Sequence, residues 1–298
     1  MHWFVTGSRG QLGSALLEQL ARDGADAGGA DIDDFDVADE RAVRDRIAKL
    51  PRPLVWVNGA GLTQVDRCER EPDLARRANA QAPAVLARAC AEASARFVHV
   101  STDYVFSGDA KHPYREDDPT GPRCVYGSTK LEGDLAVLAA SREFLVVRTS
   151  WVFGKGRNFI AAVLAQAAAR RDGSASGPLR VVDDQLGRPT YAVDLAAAIV
   201  QLVVAGARGV VNFANQGIAS WWDLARHALD DAGYPDVAID RIKTNELKTD
   251  AVRPAWSVLD TALAESLGVK PRRWQDAVSA YLSSPHSPIA RQEGSPHA

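Results

Sequence analysis

The sequence predicts an α/β fold in which a doubly wound parallel sheet carries a smaller C-terminal α/β lobe. Short apolar strands alternate with helices along most of the chain, a pattern typical of parallel sheets with helices on both faces. A glycine-rich turn, GSRGQLG, joins the first strand to the first helix. From about residue 215 the pattern changes to a few short elements, too few for an independent fold. We expect this part to lean on the sheet and close a cleft.

Composition excludes several classes of protein. The chain has 298 residues, of which 46% are hydrophobic and 24% are charged, which is typical of one large globular domain or two modest ones. A net charge of -3, with no basic stripe, argues against a nucleic-acid partner. The three cysteines, Cys68, Cys90 and Cys124, are too scattered for a disulfide framework or a thiolate metal site. Without a leader sequence or an apolar run of membrane-spanning length, we expect a cytoplasmic protein.

The glycine turn predicts a dinucleotide-binding unit of the Rossmann type. It follows an apolar strand at residues 2–6 and precedes an amphipathic helix. Gly7 allows a tight turn, Gly10 lets backbone approach a pyrophosphate, and Gly13 lets the helix pack on the strand. The free N–H groups of the helix N-terminus would then face the anion.

The second strand is weakly marked, because residues 24–30 contain no β-branched side chain. We expect it to end at Ala30 or Asp31, where an acidic side chain would meet the ribose hydroxyls and favour NADH over NADPH. Ser8 and Arg9 in the glycine turn would instead favour the 2′-phosphate of NADPH. A solvated acidic turn, with Asp39 capping the next helix, is an equal alternative reading of the aspartates.

The remaining elements continue the alternation. Strands are predicted at residues 54–57, 97–100, 144–147, 179–184, 209–214 and 237–242. Helices are predicted at residues 39–50, 72–94, 126–140, 158–171, 192–205, 220–232, 260–267 and 273–282. The dinucleotide-binding domain would span residues 1–150 and be completed by 190–214, the substrate lobe would span 151–189 and 215–283, and 284–298 would be a disordered tail.

Candidate chemistry lies between Ser101 and Lys130. Tyr126 and Lys130 are one helical turn apart on the same face, and a neighbouring ammonium lowers the pKa of a phenol from its usual value of about 10. Thr102, at the carboxyl end of the preceding strand, offers a hydroxyl to the same space. A buried tyrosine and a solvated lysine would explain this spacing equally well if it stood alone.

Several segments together resemble a known family. GSRGQLG, NGAGLTQVDRCE, STDYVFSG, YREDDPTGP, YGSTKLEGD, RTSWVFG, GRNF, DDQLGRPT and RPAWSVLD occur in the order seen in dTDP-4-dehydrorhamnose reductases. These enzymes are extended short-chain dehydrogenases/reductases of dTDP-rhamnose biosynthesis. The resemblance extends to about residue 282. It implies reduction of the 4-keto group of dTDP-4-dehydro-L-rhamnose to dTDP-L-rhamnose with NADPH or NADH.

The resemblance also implies roles for individual residues. The catalytic trio would be Thr102, Tyr126 and Lys130. Cofactor contacts are implied for Gly10, Gln11, Leu12, Asp36, Val37, Gly61, Leu62, Thr63, Tyr126 and Lys130, in addition to Gly7, Gly13 and Asp31, which the glycine turn and the second strand assign. Contacts with the nucleotide sugar are implied for Thr102, Asp103, Trp151, Asn158 and Arg253.

Some points depart from the family pattern or stay open. Asn58-Gly-Ala-Gly61 replaces the more usual Asn-Ala-Ala-Ala. Some family members bind Mg²⁺ at a carboxylate-lined dimer contact, but no matching ligands can be placed here, so no metal ligand is predicted and monomer and homodimer stay open. A different sugar-nucleotide reductase or epimerase is one alternative. Another is a non-catalytic regulatory subunit resembling that of methionine adenosyltransferase, although such a subunit would not need all three catalytic groups.

Overall fold

The computed structural model describes residues 1–289. Its strands are β1 (His2–Thr6), β2 (Asp26–Ala30), β3 (Leu54–Asn58), β4 (Arg96–Thr102), β5 (Leu145–Thr149), β6 (Val152–Phe153), β7 (Leu179–Val182), β8 (Leu186–Gly187), β9 (Thr190–Tyr191), β10 (Gly209–Asn212), β11 (Ala219–Ser220) and β12 (Ile239–Ile242). Its helices are α1 (Gln11–Arg22), α2 (Glu40–Ile47), α3 (Val65–Arg70), α4 (Pro72–Arg76), α5 (Ala82–Glu92), α6 (Val125–Ala140), α7 (Phe159–Arg171), α8 (Ala192–Val204), α9 (Trp221–Asp231), α10 (Ala262–Ser266) and α11 (Trp274–Leu282).

Six parallel strands form the central sheet in the order β10-β5-β4-β3-β1-β2. The chain passes from β1 to β2 on one side and then returns to β3 on the other side. Ligands of open α/β sheets bind where the strand order reverses in this way, outside the carboxyl ends of the strands. The predicted doubly wound fold is therefore confirmed, and the reversal between β1 and β3 places the cleft.

Both faces of the sheet and the C-terminal lobe have their own hydrophobic cores. One face packs against α1 and α8, and the other packs against α2, α5 and α6. A third core joins α7, α9 and α11. Ala264 and Val269 were assigned to the substrate lobe, but they pack into the core of the sheet beside β10. The division of the chain therefore differs from the predicted one around α10.

The weak second strand has a steric explanation. β2 ends at Ala30, as predicted, and pairs with β1 along its whole length, with one side-chain contact between His2 and Asp26 at 2.9 Å. A Cβ atom on Gly29 would lie 2.6 Å from Cβ of Ser8 in the glycine turn. The strand lacks side chains here because the turn packs directly against it.

The predicted helix at residues 72–94 is interrupted. α4 passes into a π-helical turn, Arg77–Gln81, before α5 begins. This turn holds the buried Asn79, whose side chain binds both the N–H and the carbonyl of Leu62 at 2.8 and 3.0 Å. A π-helical turn inside a helix is common at functional sites because it reorients side chains. The short α3 before it was not predicted.

The C-terminal boundary also differs from the prediction. Residues 284–289, expected to be disordered, form turns in which Ser287 is fully buried and Ile289 packs against the third core. They are held in place because the end of α11 continues into hydrogen-bonded turns at Ser284. The rest of the predicted tail, residues 290–298, lies outside the described residues.

We predict that Gly13→Ala destabilises the fold by about 2 kcal/mol or more. The added Cβ would lie 2.1 Å from the carbonyl oxygen of Gly7, which is backbone and cannot move aside alone. Gly28→Ala is the matched control, because its Cβ would meet nothing closer than 3.7 Å. Urea unfolding measures both variants, and equal midpoints for the two would contradict this steric account.

Candidate active site

A cleft of about 1200 Å³ opens at the carboxyl ends of the central strands. It is lined by the predicted catalytic, cofactor and substrate residues with one exception, Asn158. The structure thus brings together residues from both ends of the chain, such as Gly7 and Arg253.

Asn158 has a structural role instead. Its side-chain oxygen accepts the N–H of Ala161 at 3.0 Å and so caps α7. Its amide group donates to the carbonyl of Gly154 at 2.6 Å and to the hydroxyl of Tyr281 at 2.9 Å. The structure does not support the prediction that Asn158 binds substrate, because its side-chain amide is hydrogen-bonded within the C-terminal lobe.

The glycine turn forms a cradle at the N-terminus of α1. Gly7 has a φ of 73°, and a Cβ on it would lie 2.8 Å from the backbone of Ala60. No side chain caps α1, so the N–H groups of its first turn are available to an anion. The residues present therefore fit the pyrophosphate of a dinucleotide.

Paired charges surround the far end of the cleft. Asp31 accepts the backbone N–H groups of Arg9 and Ile32 at 3.0 and 2.9 Å, while the Arg9 guanidinium donates to Asp33 at 2.7 Å. Asp31 therefore helps to hold the glycine turn. Asp39 accepts the N–H of Ala42 at 3.0 Å and so caps α2, as expected.

A second arginine at this end was not predicted. Arg77, in the π-helical turn, pairs with Asp36, which also accepts the N–H of Ala38 at 2.8 Å. The sequence hides this contact, because it depends on the interruption of the helix.

The three predicted catalytic groups meet in the cleft. Tyr126 and Thr102 line the same part of the cleft, and the Thr102 hydroxyl donates to Asp103 at 2.9 Å. Lys130, also buried, donates to the carbonyl of Val100 at 2.6 Å. The helix face carrying Tyr126 and Lys130 thus packs against the carboxyl end of β4, as the spacing predicts.

Burial dominates the electrostatics of this trio. It raises the pKa of the Tyr126 phenol, with the nearby Thr102 side chain acting in the opposite direction. It also lowers the pKa of Lys130 to about 8, against the effect of Asp134. Lys130 is not among the groups that shift the pKa of Tyr126, and desolvation raises that pKa, so the expected lowering by Lys130 is not confirmed.

Asp103 carries a buried carboxyl next to the trio. Burial raises its pKa to about 6, although hydrogen bonds from Ser257 and Thr102 oppose the shift. Its side chain lies at the base of the cleft, and it fixes the direction of the Thr102 hydroxyl.

Aromatic side chains form one wall of the cleft. Trp151 lies at the end of β5 with a φ of 46°, an uncommon conformation for a bulky residue. Its indole stacks on Trp221, with ring centroids 3.7 Å apart and planes 9° apart, and Gly187 leaves room for its edge. Trp221 was not predicted as a site residue. The sequence feature that could have indicated it is the Trp-Trp pair directly after the helix cap Ser220.

An ion pair holds another part of the cleft lining, at Arg253. Arg253 donates to Asp66 at 2.7 Å, and the same carboxylate accepts the N–H groups of Asp250 and Ala251 at 3.1 Å each. The loop at residues 250–253 is thereby tied to α3. Asp66 was missed in the sequence because its partners lie far along the chain.

Within residues 1–289, no three or more His, Cys, Asp or Glu side chains are arranged to hold a metal ion. Among the helices of the same range, none combines the length and apolar character needed to cross a membrane.

Comparisons with known proteins agree with this geometry. A family model described as the RmlD substrate binding domain matches residues 1–286. A dTDP-4-dehydrorhamnose reductase of Mycobacterium tuberculosis is 39% identical over 94% of this chain and 92% of its own. The solved structure of a dTDP-4-dehydrorhamnose reductase from Clostridium acetobutylicum has a TM-score of 0.89 at 34% identity, covering 95% of this chain and 98% of that one. A Bacillus anthracis structure of the same enzyme, in complex with NADP, has a TM-score of 0.87 at 29% identity, covering 94% and 98%.

We predict that Asp103 makes stability fall as the pH rises. The pKa of the Asp103 carboxyl is about 6 in the folded state and near 3.8 when unfolded. Its contribution to the free energy of unfolding is therefore fully present at pH values below 3.8. That contribution is lost as the pH rises through 6. The stability of Asp103→Asn relative to the parent protein should therefore increase between pH 4 and pH 7, by about 2–3 kcal/mol.

Urea unfolding at the two pH values measures this difference. Asp117→Asn, at a side chain that is 81% exposed, controls for loss of a surface carboxyl. The same pH dependence in Asp103→Asn and the parent protein would show that Asp103 does not titrate as its burial requires.

Proposed function

The chain belongs to the RmlD substrate binding domain family, and we propose that it reduces the 4-keto group of dTDP-4-dehydro-L-rhamnose to dTDP-L-rhamnose with a nicotinamide cofactor. One observation carries the proposal: Thr102, Tyr126 and Lys130 line the same cleft as the uncapped N-terminus of α1. The M. tuberculosis relative and the C. acetobutylicum structure, both named as this reductase, support it.

The cleft has the parts that a nicotinamide cofactor needs. The first turn of α1 would hold the pyrophosphate, and Gly59–Gly61 leave room beside the end of β3. Asp36 and Val37 line the end where adenine would lie. A bound nicotinamide cofactor supplies the hydride, and the protein orients the reacting groups.

Tyr126 is the proposed proton donor. A ketone that receives hydride develops negative charge on oxygen, and a positioned acid lowers the barrier. The raised pKa of Tyr126 keeps the phenol protonated at neutral pH, which suits a reduction. Thr102 would supply a second hydrogen bond after its hydroxyl turns from Asp103 to the substrate oxygen.

Aromatic and basic side chains of the cleft would hold the nucleotide sugar. Trp151 and Trp221 offer aromatic surface, and Arg253 offers a guanidinium in the same cleft. Aromatic faces suit a sugar or base ring, and a guanidinium suits a diphosphate.

The direct test is oxidation of NADPH and NADH with dTDP-4-dehydro-L-rhamnose, followed by identification of the product. We expect both cofactors to be oxidised and dTDP-L-rhamnose to form. UDP- and GDP-linked 4-keto sugars are the comparison panel, and preference for one of them would favour a different sugar-nucleotide reductase. No oxidation with any keto sugar would contradict the proposal and favour a regulatory subunit.

We predict that Tyr126→Phe lowers kcat by about 10²–10⁴-fold, because the proton donor is lost. Cofactor affinity, measured by fluorescence titration, should change by less than about threefold. Tyr104→Phe is the matched control, since Tyr104 also lines the cleft with its ring centroid 5.5 Å from that of Tyr126. Full turnover in Tyr126→Phe, or the larger loss in the Tyr104 variant, would refute the assignment.

We further propose that Arg9 contacts the 2′-phosphate when NADPH binds. Asp31 already accepts two backbone N–H groups, while the Arg9 side chain is 57% exposed at the cleft rim. The NADP complex of the B. anthracis enzyme supports use of the phosphorylated cofactor.

Arg9→Met should raise the KM for NADPH about tenfold, which corresponds to about 1.4 kcal/mol. The KM for NADH should stay within about twofold, because that cofactor lacks the phosphate. Initial rates with each cofactor measure both values. Equal changes in KM for the two cofactors would show that Arg9 does not contact the 2′-phosphate.

A further inference from the structure

Behind Lys130 lies a set of buried polar groups to which the proposed reaction assigns no role. His99 on β4 is fully buried, and its Nε2 is 3.2 Å from Nζ of Lys130. On the other side of the ring, Nδ1 is 3.1 Å from Nδ2 of Asn58 on β3. Asn58 is itself buried, with 1% of its surface exposed.

The hydrogen bonds of Asn58 fix its orientation. One side-chain atom accepts the backbone N–H of Ala60 at 3.2 Å and the hydroxyl of Thr6 at 2.9 Å. A backbone N–H can only donate, so this atom must be the amide oxygen. The amide nitrogen therefore faces His99 and donates to Nδ1.

The orientation of Asn58 determines where His99 carries its proton. A neutral imidazole has one N–H group, and Nδ1 is already an acceptor, so the proton is on Nε2. That N–H faces Lys130. An ammonium has three donors and no acceptor, whereas a neutral amine has a lone pair that can accept the bond. The ring therefore stabilises the amine form of Lys130 relative to the ammonium form.

We propose that His99, oriented by Asn58, is a positioning residue that biases Lys130 toward its neutral amine. The proposal rests on the proposed function, in which Lys130 acts beside the proton donor. It adds a role for two residues that do not touch the substrate.

The surroundings of Lys130 agree with this assignment. Burial and the neighbouring Lys130 lower the pKa of His99 well below its usual value, so the ring is neutral. Within residues 1–289, the titratable or charged groups around Lys130 are Tyr126 and Asp134 on its own helix, His99 from β4 and, behind Asp134, Arg148 from β5.

Asp134 does not take over the His99 proton. Its Oδ1 is 3.9 Å from His99 Nε2, too far for a hydrogen bond, and its Oδ2 is paired with Arg148 at 3.3 Å. The Lys130 amino group is therefore the nearest acceptor for the His99 N–H.

Two substitutions test the proposal by different routes. His99→Leu removes the N–H that faces Lys130. Asn58→Asp places a carboxylate against Nδ1, which moves the ring proton to that side and leaves a lone pair at Nε2. Both should raise the pKa of Lys130 by about one unit or more. The new carboxylate of Asn58→Asp also attracts the Lys130 ammonium directly, and any rise that this substitution adds in the double variant measures the direct effect.

The readout is a direct titration of Lys130 by NMR in the folded protein with labelled lysine, without substrate. Lys130→Met assigns the signal. Phe97→Leu is the control, because Phe97 stacks beside His99 at 6.5 Å and carries no polar group. In His99→Leu and Asn58→Asp, the alkaline limb of the kcat–pH profile should shift to higher pH by the same amount as the Lys130 titration. In Phe97→Leu it should stay at the pH of the parent protein.

The outcomes separate the two proposals. An unchanged Lys130 titration in whichever of the two variants folds, checked by circular dichroism, overturns the role of His99 whatever the enzyme reduces. A raised titration supports that role even if no dTDP-4-keto sugar is turned over, and in that case only the proposed function fails.

Discussion

The site depends on the close approach of α6 to the elements around it. A Cβ on Gly127 would lie 2.2 Å from the carbonyl of Tyr104, and a Cβ on Gly133 would lie 2.2 Å from the carbonyl of Asn79. These two glycines let one helix pack against the turn after β4 and against the π-helical turn. Because α6 sits this close, Tyr126 and Lys130 reach the carboxyl end of β4, where Thr102 lies.

Burial shifts the charge states of Tyr126 and Lys130. Desolvation favours the neutral form of every titratable group, so it raises the pKa of Tyr126 and lowers that of Lys130. Both groups are thereby biased toward their neutral forms. Asp103 shows the same effect, with a pKa raised to about 6. The hydrogen bonds of this region then decide the directions in which the neutral groups point.

The sequence predicts most of the fold and the main site, and its failures have physical causes. Alternating strands and helices and the glycine turn were enough for the sheet and for the cleft. The π-helical turn was not predictable, because the helical pattern runs through it without a break. Trp221 and Asp66 act through contacts that only folding creates. Asn158 was assigned from a family motif, although an asparagine just before an apolar helix is also typical of a cap. The pKa of Tyr126 was misjudged because sequence spacing shows a neighbouring charge but not the depth of burial.

A crystal structure with NADPH and a dTDP-4-keto sugar, or a close analogue of it, tests the central claim most directly. If the account is right, the oxygen on C4 of the sugar will lie within hydrogen-bonding distance of the Tyr126 hydroxyl, at about 3 Å. Thr102 will contact the same oxygen, and the diphosphate of the sugar will lie toward Arg253. A sugar that binds with C4 turned away from Tyr126 would contradict the assignment of this cleft as the site of keto-sugar reduction.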